Sequence, residues 1–242
     1  MTLALHTADC ARLLDESLHL VRGVIPGAGY GVPAAALEDR TVAGWVRFRG
    51  VTVTVQRDDE LDLVRDSGIR INQVVFRCGT VTNSIRRAVN LGATRFIVGT
   101  VQQMAGLAQC AQRTKYVYLD EHSPLVLGDR RLTVIGLHTD LDDSGGAVEW
   151  ASAAERLLCR TALLKTCGSP VKRIMLSGGS TDIWLHYDAP HLTSMVHAVD
   201  DALRDGCDRR QVARPAVTLA PLIAPSLEEC RRPVPGRVPT AA

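Results

Sequence analysis

The chain has 242 residues, 46% of them apolar and 22% charged, with a formal net charge of +2. This is the composition of a globular domain able to bury a large core, and so small a net charge argues against a nucleic-acid or membrane-surface partner. No apolar run approaches the roughly 20 residues of a membrane span, and the N-terminus lacks the charged start and apolar stretch of a secretion signal, so a cytoplasmic protein is expected.

Taken in chain order, residues 8–22 read as a helix with Leu13, Leu14, Leu18 and Val21 on one face. Short β-branched runs follow at 28–33, 51–55, 72–76, 95–98, 116–119, 132–137, 172–176 and 216–219. Helical patterns fit between them at about 37–48, 58–67, 82–91, 101–112, 146–166 and 190–205. Alternation of this kind predicts a parallel sheet with crossover helices, and eight strands predict a TIM-type (β/α)₈ barrel. Gly50, Gly68, Gly92 and Gly168 each follow a helical stretch, where a C-terminal cap belongs. Asp58 and Thr82 are suited to capping helix starts. The crossover between 119 and 132 has only the short turn Asp120-Glu121-His122-Ser123-Pro124. One domain is expected over residues 1–225, followed by a Pro-, Arg- and Ala-rich tail over 226–242 with the composition of a disordered segment.

Seven cysteines, an odd number with no C-x-x-C spacing, read as reduced thiols used mostly as small hydrophobes. The loop Ser177-Gly178-Gly179-Ser180-Thr181 follows strand seven, where barrels often hold phosphate, and its glycines would leave N–H groups open to an anion. A plain strand-to-helix turn explains it equally well. Valine at 178 is expected to block such an anion without unfolding the barrel. The run His138-Thr139-Asp140-Leu141-Asp142-Asp143 reads as a solvated acidic turn after strand six, and no metal ligand is assigned to it. His186 and His191 fall near the presumed pocket, and no Ser/His/Asp trio shows motif spacing.

Several segments carry a resemblance. Tyr30-Gly31-Val32-Pro33-Ala34 resembles the "YAVKAN" first strand of ornithine, diaminopimelate and arginine decarboxylases, the fold-type III pyridoxal-phosphate enzymes. The run from Val55 to Leu61 is similar to "VASGGEL", Val74-Val75-Phe76 to "IVF", and Ile85 to Gly92 to "ELRRAVELG". Val134-Ile135-Gly136-Leu137-His138 is similar to "VIGLH", and Ile174 to Ser180 to "LDLGGGF", the family's phosphate loop. The resemblance covers about residues 12–225 and implies an alanine racemase-like barrel. It also implies that Gly178, Gly179, Ser180 and His138 stand at the cofactor-binding positions.

The departures gather at the cofactor. Pro33 stands where the family has its Schiff-base lysine, and Asp140 where a second histidine stacks on the pyridine ring. Ala220-Pro221-Leu222-Ile223 lacks the glutamate and arginine of "EPGR". The chain ends where the family's C-terminal β-domain begins. A Schiff-base lysine must sit at the C-terminal end of a barrel strand. Lysine occurs only at 115, 165 and 172, none of them at such a place in the strand assignment. The resemblance therefore implies a truncated, degenerate relative with no catalytic residue assigned and no cofactor expected. Non-covalent pyridoxal phosphate remains a lesser alternative. The leading reading is a pseudoenzyme that binds a small anionic ligand, itself as a homo-oligomer, or an intact decarboxylase paralogue. The runner-up is an enzyme with altered chemistry at the same barrel mouth.

Overall fold

The computed structural model describes residues 2–124, 130–142, 146–179, 184 and 189–221. The expected tail at 226–242 lies outside them. Among the described residues eight strands form a closed barrel in sequence order, every neighbouring pair parallel, with β1 hydrogen-bonded to β8. They are β1 Gly29–Pro33, β2 Thr52–Val55, β3 Val74–Arg77, β4 Arg95–Val98, β5 Lys115–Asp120, β6 Leu132–Leu141, β7 Arg173–Gly178 and β8 Ala216–Ala220. Around them lie α1 Thr2–Val24, α2 Arg40–Arg49, α3 Asp58–Asp66, α4 Thr82–Asn90, α5 Val101–Cys110, α6 Gly146–Thr166 and, as the seventh, α7 Ala189–Arg210. All eight strands fall at the positions predicted from the sequence.

The local reasons are conventional side-chain chemistry. Gly50, Gly68, Gly92 and Gly168 all have positive φ, the left-handed conformation that a helix C-terminus needs. Asp39 caps α2 by accepting from the Thr41 and Val42 N–H groups. Thr100 and Gln103 form a capping box at α5. Asp58 and Thr82 lie inside the first turns of α3 and α4 rather than at their caps. Asp58 is instead engaged by Arg87 of the neighbouring helix. None of the described helices is long and apolar enough to cross a membrane.

Alternate strand residues face opposite sides. Outward residues such as Val53, Val55, Phe76, Phe96, Val98, Leu119 and Leu137 join the helices in one large core. Inward residues form a second cluster of Val75, Ile97, Tyr118, Met175 and Ala220. Stepping the registers around the barrel sorts the inward residues into layers contributed by alternate strands. The lowest complete layer is Thr52, Arg95, Gly136 and Thr218, with Gly31, Val75, Tyr118 and Met175 above it. Thr54, Ile97, His138 and Ala220 come next. The layer at the C-terminal mouth is Pro33, Arg77, Asp120 and Ser177. The lumen is thus polar toward both ends around an apolar belt.

Two differences from the sequence reading bear on the mouth. Strand β6 runs on to Leu141, so His138, Thr139 and Asp140 are strand residues and not a solvated turn. Strand β7 likewise takes in Ser177 and Gly178. In both cases a polar run looked like a loop because its partners lie on other strands. A register shift between β5 and β6 places the extra residue at Ile135.

Candidate functional site

Five polar side chains converge at the mouth. Arg77 ends β3, Asp120 ends β5, His138 and Asp140 come from β6, and Ser177 comes from β7. The His138 Nδ1 lies 3.4 Å from Asp120 Oδ2, and its Nε2 lies 3.2 Å from Ser177 Oγ and 3.4 Å from Asp140 Oδ1. The Arg77 guanidinium joins the two carboxylates, with one nitrogen 3.2 Å from Asp120 Oδ2 and the other paired to Asp140 Oδ2. His138 is fully buried, while Arg77 and Asp140 keep 29% of their side-chain surface open at the mouth. Burial works to raise the Asp120 carboxyl. The bond to His138 and the charges of His138 and Arg77 outweigh it and hold the group below the usual carboxylate range.

Asp120, His138 and Ser177 form a carboxylate–imidazole–hydroxyl chain of the kind that activates a nucleophile. Ser177 is only 3% exposed, however, so its Oγ is covered by its neighbours. The three groups Asp120, His138 and Asp140 each present a potential ligand atom, all within 4.8 Å of one another, which makes them a candidate metal set.

The residues singled out from sequence fall differently. His138 is inside the lumen and part of this cluster. Gly178 ends β7 and faces outward: a Cβ there would lie 2.6 Å from Leu141 Cβ and 3.1 Å from the Trp150 ring. Its missing side chain is a packing requirement, so valine at 178 would strain the barrel as well as crowd the loop. The Gly178 carbonyl accepts from Trp184 Nε1 at 3.3 Å. Gly179 has φ +67, a turn conformation that favours glycine. Ser180, Thr181, His186 and Asp143 lie outside the described residues. Arg77, Ser177 and Thr54 were missed. Each is a polar residue at the C-terminal end of a strand with inward parity, and that parity was the available signal.

Pyridoxal phosphate, the cofactor the fold implies, does not fit these residues. Pro33 occupies the mouth layer at the end of β1. Lys115 opens β5 at the other end of the barrel, its Nζ donating to the Ala93 carbonyl at 2.9 Å. Lys172 precedes β7 at that same end, and Lys165, in the last turn of α6, donates to the Gln211 carbonyl. No amine therefore reaches the mouth. Both nitrogens of the His138 ring are engaged, by Asp120 and by Ser177, in the layer beneath that of Pro33, Arg77, Asp120 and Ser177.

No family model and no curated protein matches the chain. Solved structures do. A lysine decarboxylase from Selenomonas ruminantium superposes with a TM-score of 0.69 at 14% identity, over 87% of this chain and 59% of that one. A diaminopimelate decarboxylase from M. jannaschii gives 0.71 at 13%, over 86% and 58%. An ornithine decarboxylase from Entamoeba histolytica gives 0.69 at 13%, over 87% and 62%. The fold is that of the decarboxylase barrel. The chain spans about three fifths of the length of these proteins, and identity this low establishes shared architecture alone.

Proposed function

We propose that this decarboxylase-like barrel works by binding rather than by aldimine chemistry, with the C-terminal mouth as its ligand site. The observation that carries the reading is the position of the lysines: all three sit at the N-terminal end of the barrel, and Pro33 takes the place at the mouth. An imine requires an amine within bonding reach of the cofactor aldehyde. What the mouth offers instead is a fixed polar network of Arg77, Asp120, His138, Asp140 and Ser177. Barrels place ligands at this end. A small anionic group at the Gly179 turn is part of the proposal. So is a protein partner, either a second copy or an intact decarboxylase paralogue.

The test is to incubate the full chain with pyridoxal phosphate, reduce with borohydride, digest, and map adducts by mass. Scattered substoichiometric surface labelling is the expected result. A single stoichiometric adduct on Lys115, Lys165 or Lys172 overturns the reading. Native mass spectrometry of the freshly purified protein then reports whether a small molecule or a second chain accompanies it.

A further inference from the structure

His138 is buried between two carboxylates, with Nδ1 3.4 Å from Asp120 Oδ2 and Nε2 3.4 Å from Asp140 Oδ1. Asp140 Oδ1 is itself buried and has no hydrogen-bond partner. The Thr54 hydroxyl is in the same condition: Thr54 is 7% exposed, its Oγ1 is unpartnered, and its layer is that of His138. Arg77 engages the other carboxylate oxygens and leaves these atoms unanswered. Two carboxylates share one guanidinium. Native structures rarely leave buried polar atoms in that state without a reason.

A small cation at the Nε2–Oδ1 edge would give Asp140 Oδ1 its missing partner. Ligand atoms bonded to one ion at about 2.0–2.2 Å lie roughly 3–3.5 Å from each other, and the observed 3.4 Å falls in that range. Asp120 behind Nδ1 supplies the carboxylate–histidine arrangement that orients a metal-binding ring. One imidazole with carboxylate oxygens is a donor set for first-row divalent ions rather than for calcium. We propose that the barrel mouth binds one divalent transition ion between His138 Nε2 and Asp140 Oδ1. Asp120 fixes the ring, and the Ser177 hydroxyl lies 3.2 Å from the same nitrogen. Arg77 occupies the carboxylates in the ion's absence and competes with it.

The experiment is a titration of chelator-stripped full chain with Mn²⁺, followed by electron paramagnetic resonance, and with Co²⁺, followed by visible absorption. One ion per chain is expected, with a dissociation constant in the micromolar range. Asp140→Asn and His138→Gln should each weaken binding at least tenfold while leaving the circular dichroism spectrum and melting point close to those of the parent. Arg77→Gln should tighten binding about tenfold, an outcome that a purely structural arginine would not produce. Absence of 1:1 binding up to millimolar ion overturns the proposal, as does binding that Asp140→Asn leaves unchanged. Thiolate charge-transfer bands with Co²⁺ also overturn it, because they place the ion on cysteines. These results are independent of the borohydride experiment, which can fail or succeed without affecting the titration.

Discussion

Asp120 and Glu121 are sequence neighbours with opposite surroundings. Glu121 turns outward and is fully engaged: the Thr139 hydroxyl donates to Oε2, and the Arg156 guanidinium binds both oxygens. Arg160 then ties down the backbone by donating to the Glu121 and Ser123 carbonyls. Asp120 turns inward to a cluster in which Asp140 Oδ1 and Thr54 Oγ1 go without partners. Thr139 sits between His138 and Asp140 on β6, so one strand supplies both arrangements. On the outer face both Glu121 oxygens are met and hold helix α6 to the barrel, although Ser123 Oγ and Arg160 Nε beside them go without partners. In the lumen it is a carboxylate oxygen, Asp140 Oδ1, that is left over, and proteins keep such arrangements where something binds.

The largest expected effect is on the outer side. Glu121→Ala leaves Arg156 and the Thr139 hydroxyl without their acceptor. It should cost about 3 kcal/mol, discounted because Arg156 is half exposed. That would appear as a fall of several degrees in melting temperature. Asp140→Asn, in the lumen, should change stability by less than about 1 kcal/mol. If the two variants melt together, the distinction between the faces is wrong.

Gly178→Val probes the outer side from packing rather than charge. The new side chain meets Leu141 and Trp150 and should cost about 2 kcal/mol, read by urea unfolding. A variant as stable as the parent would show that the β7 end can move aside.

The pH dependence joins the two faces. Burial tends to raise the Glu121 carboxyl, but the Arg156 and Thr139 bonds outweigh it, so Glu121, like Asp120, sits below its ordinary range. A depressed folded-state value means stability that is present above the unfolded pKa and lost as pH falls through the folded one. Unfolding free energy should therefore decline from about pH 5 downward, and Glu121→Gln should flatten that decline more than Asp140→Asn does.

The smallest effect is expected at the mouth itself. Pro33→Lys should shift stability by less than about 1 kcal/mol. It should yield no decarboxylation of lysine, ornithine or diaminopimelate when pyridoxal phosphate is supplied. A lysine there still faces Arg77, Asp120 and Ser177 instead of a cofactor cradle. Carbon dioxide release above the parent's level would show that the lumen needs only an amine.

The fold was readable because its signals are local. β-branched runs, their spacing and the four capping glycines are all contained within short windows. The site was less so. His138 stood out through the "VIGLH" resemblance, and Pro33 through the absent lysine. Arg77 gave no local signal beyond its inward parity at a strand end, since its partners Asp120 and Asp140 lie on strands far along the chain and meet it only through barrel registers. Asp120 and Asp140 looked like turn residues because acidic residues near strand ends are common in turns. Gly178 looked like a phosphate glycine, while its actual constraint is a side chain of β6 and an indole of α6.

The surplus residue at Ile135 has a consequence of its own. Before it, Val117 pairs with Val134; after it, Tyr118 pairs with Gly136. A side chain's face alternates with position, and the surplus residue lets Val134 and Leu137, of opposite parity, both pack outward while Ile135 joins the lumen cluster. Deleting Ile135 would leave a regular ladder in which Val134 still meets Val117 and Gly136 still meets Tyr118, so His138 and Asp140 would keep their place in the lumen. The two halves of this strand are thus read in different frames, and the frame of the acids is set by their own pairing to the neighbouring strand.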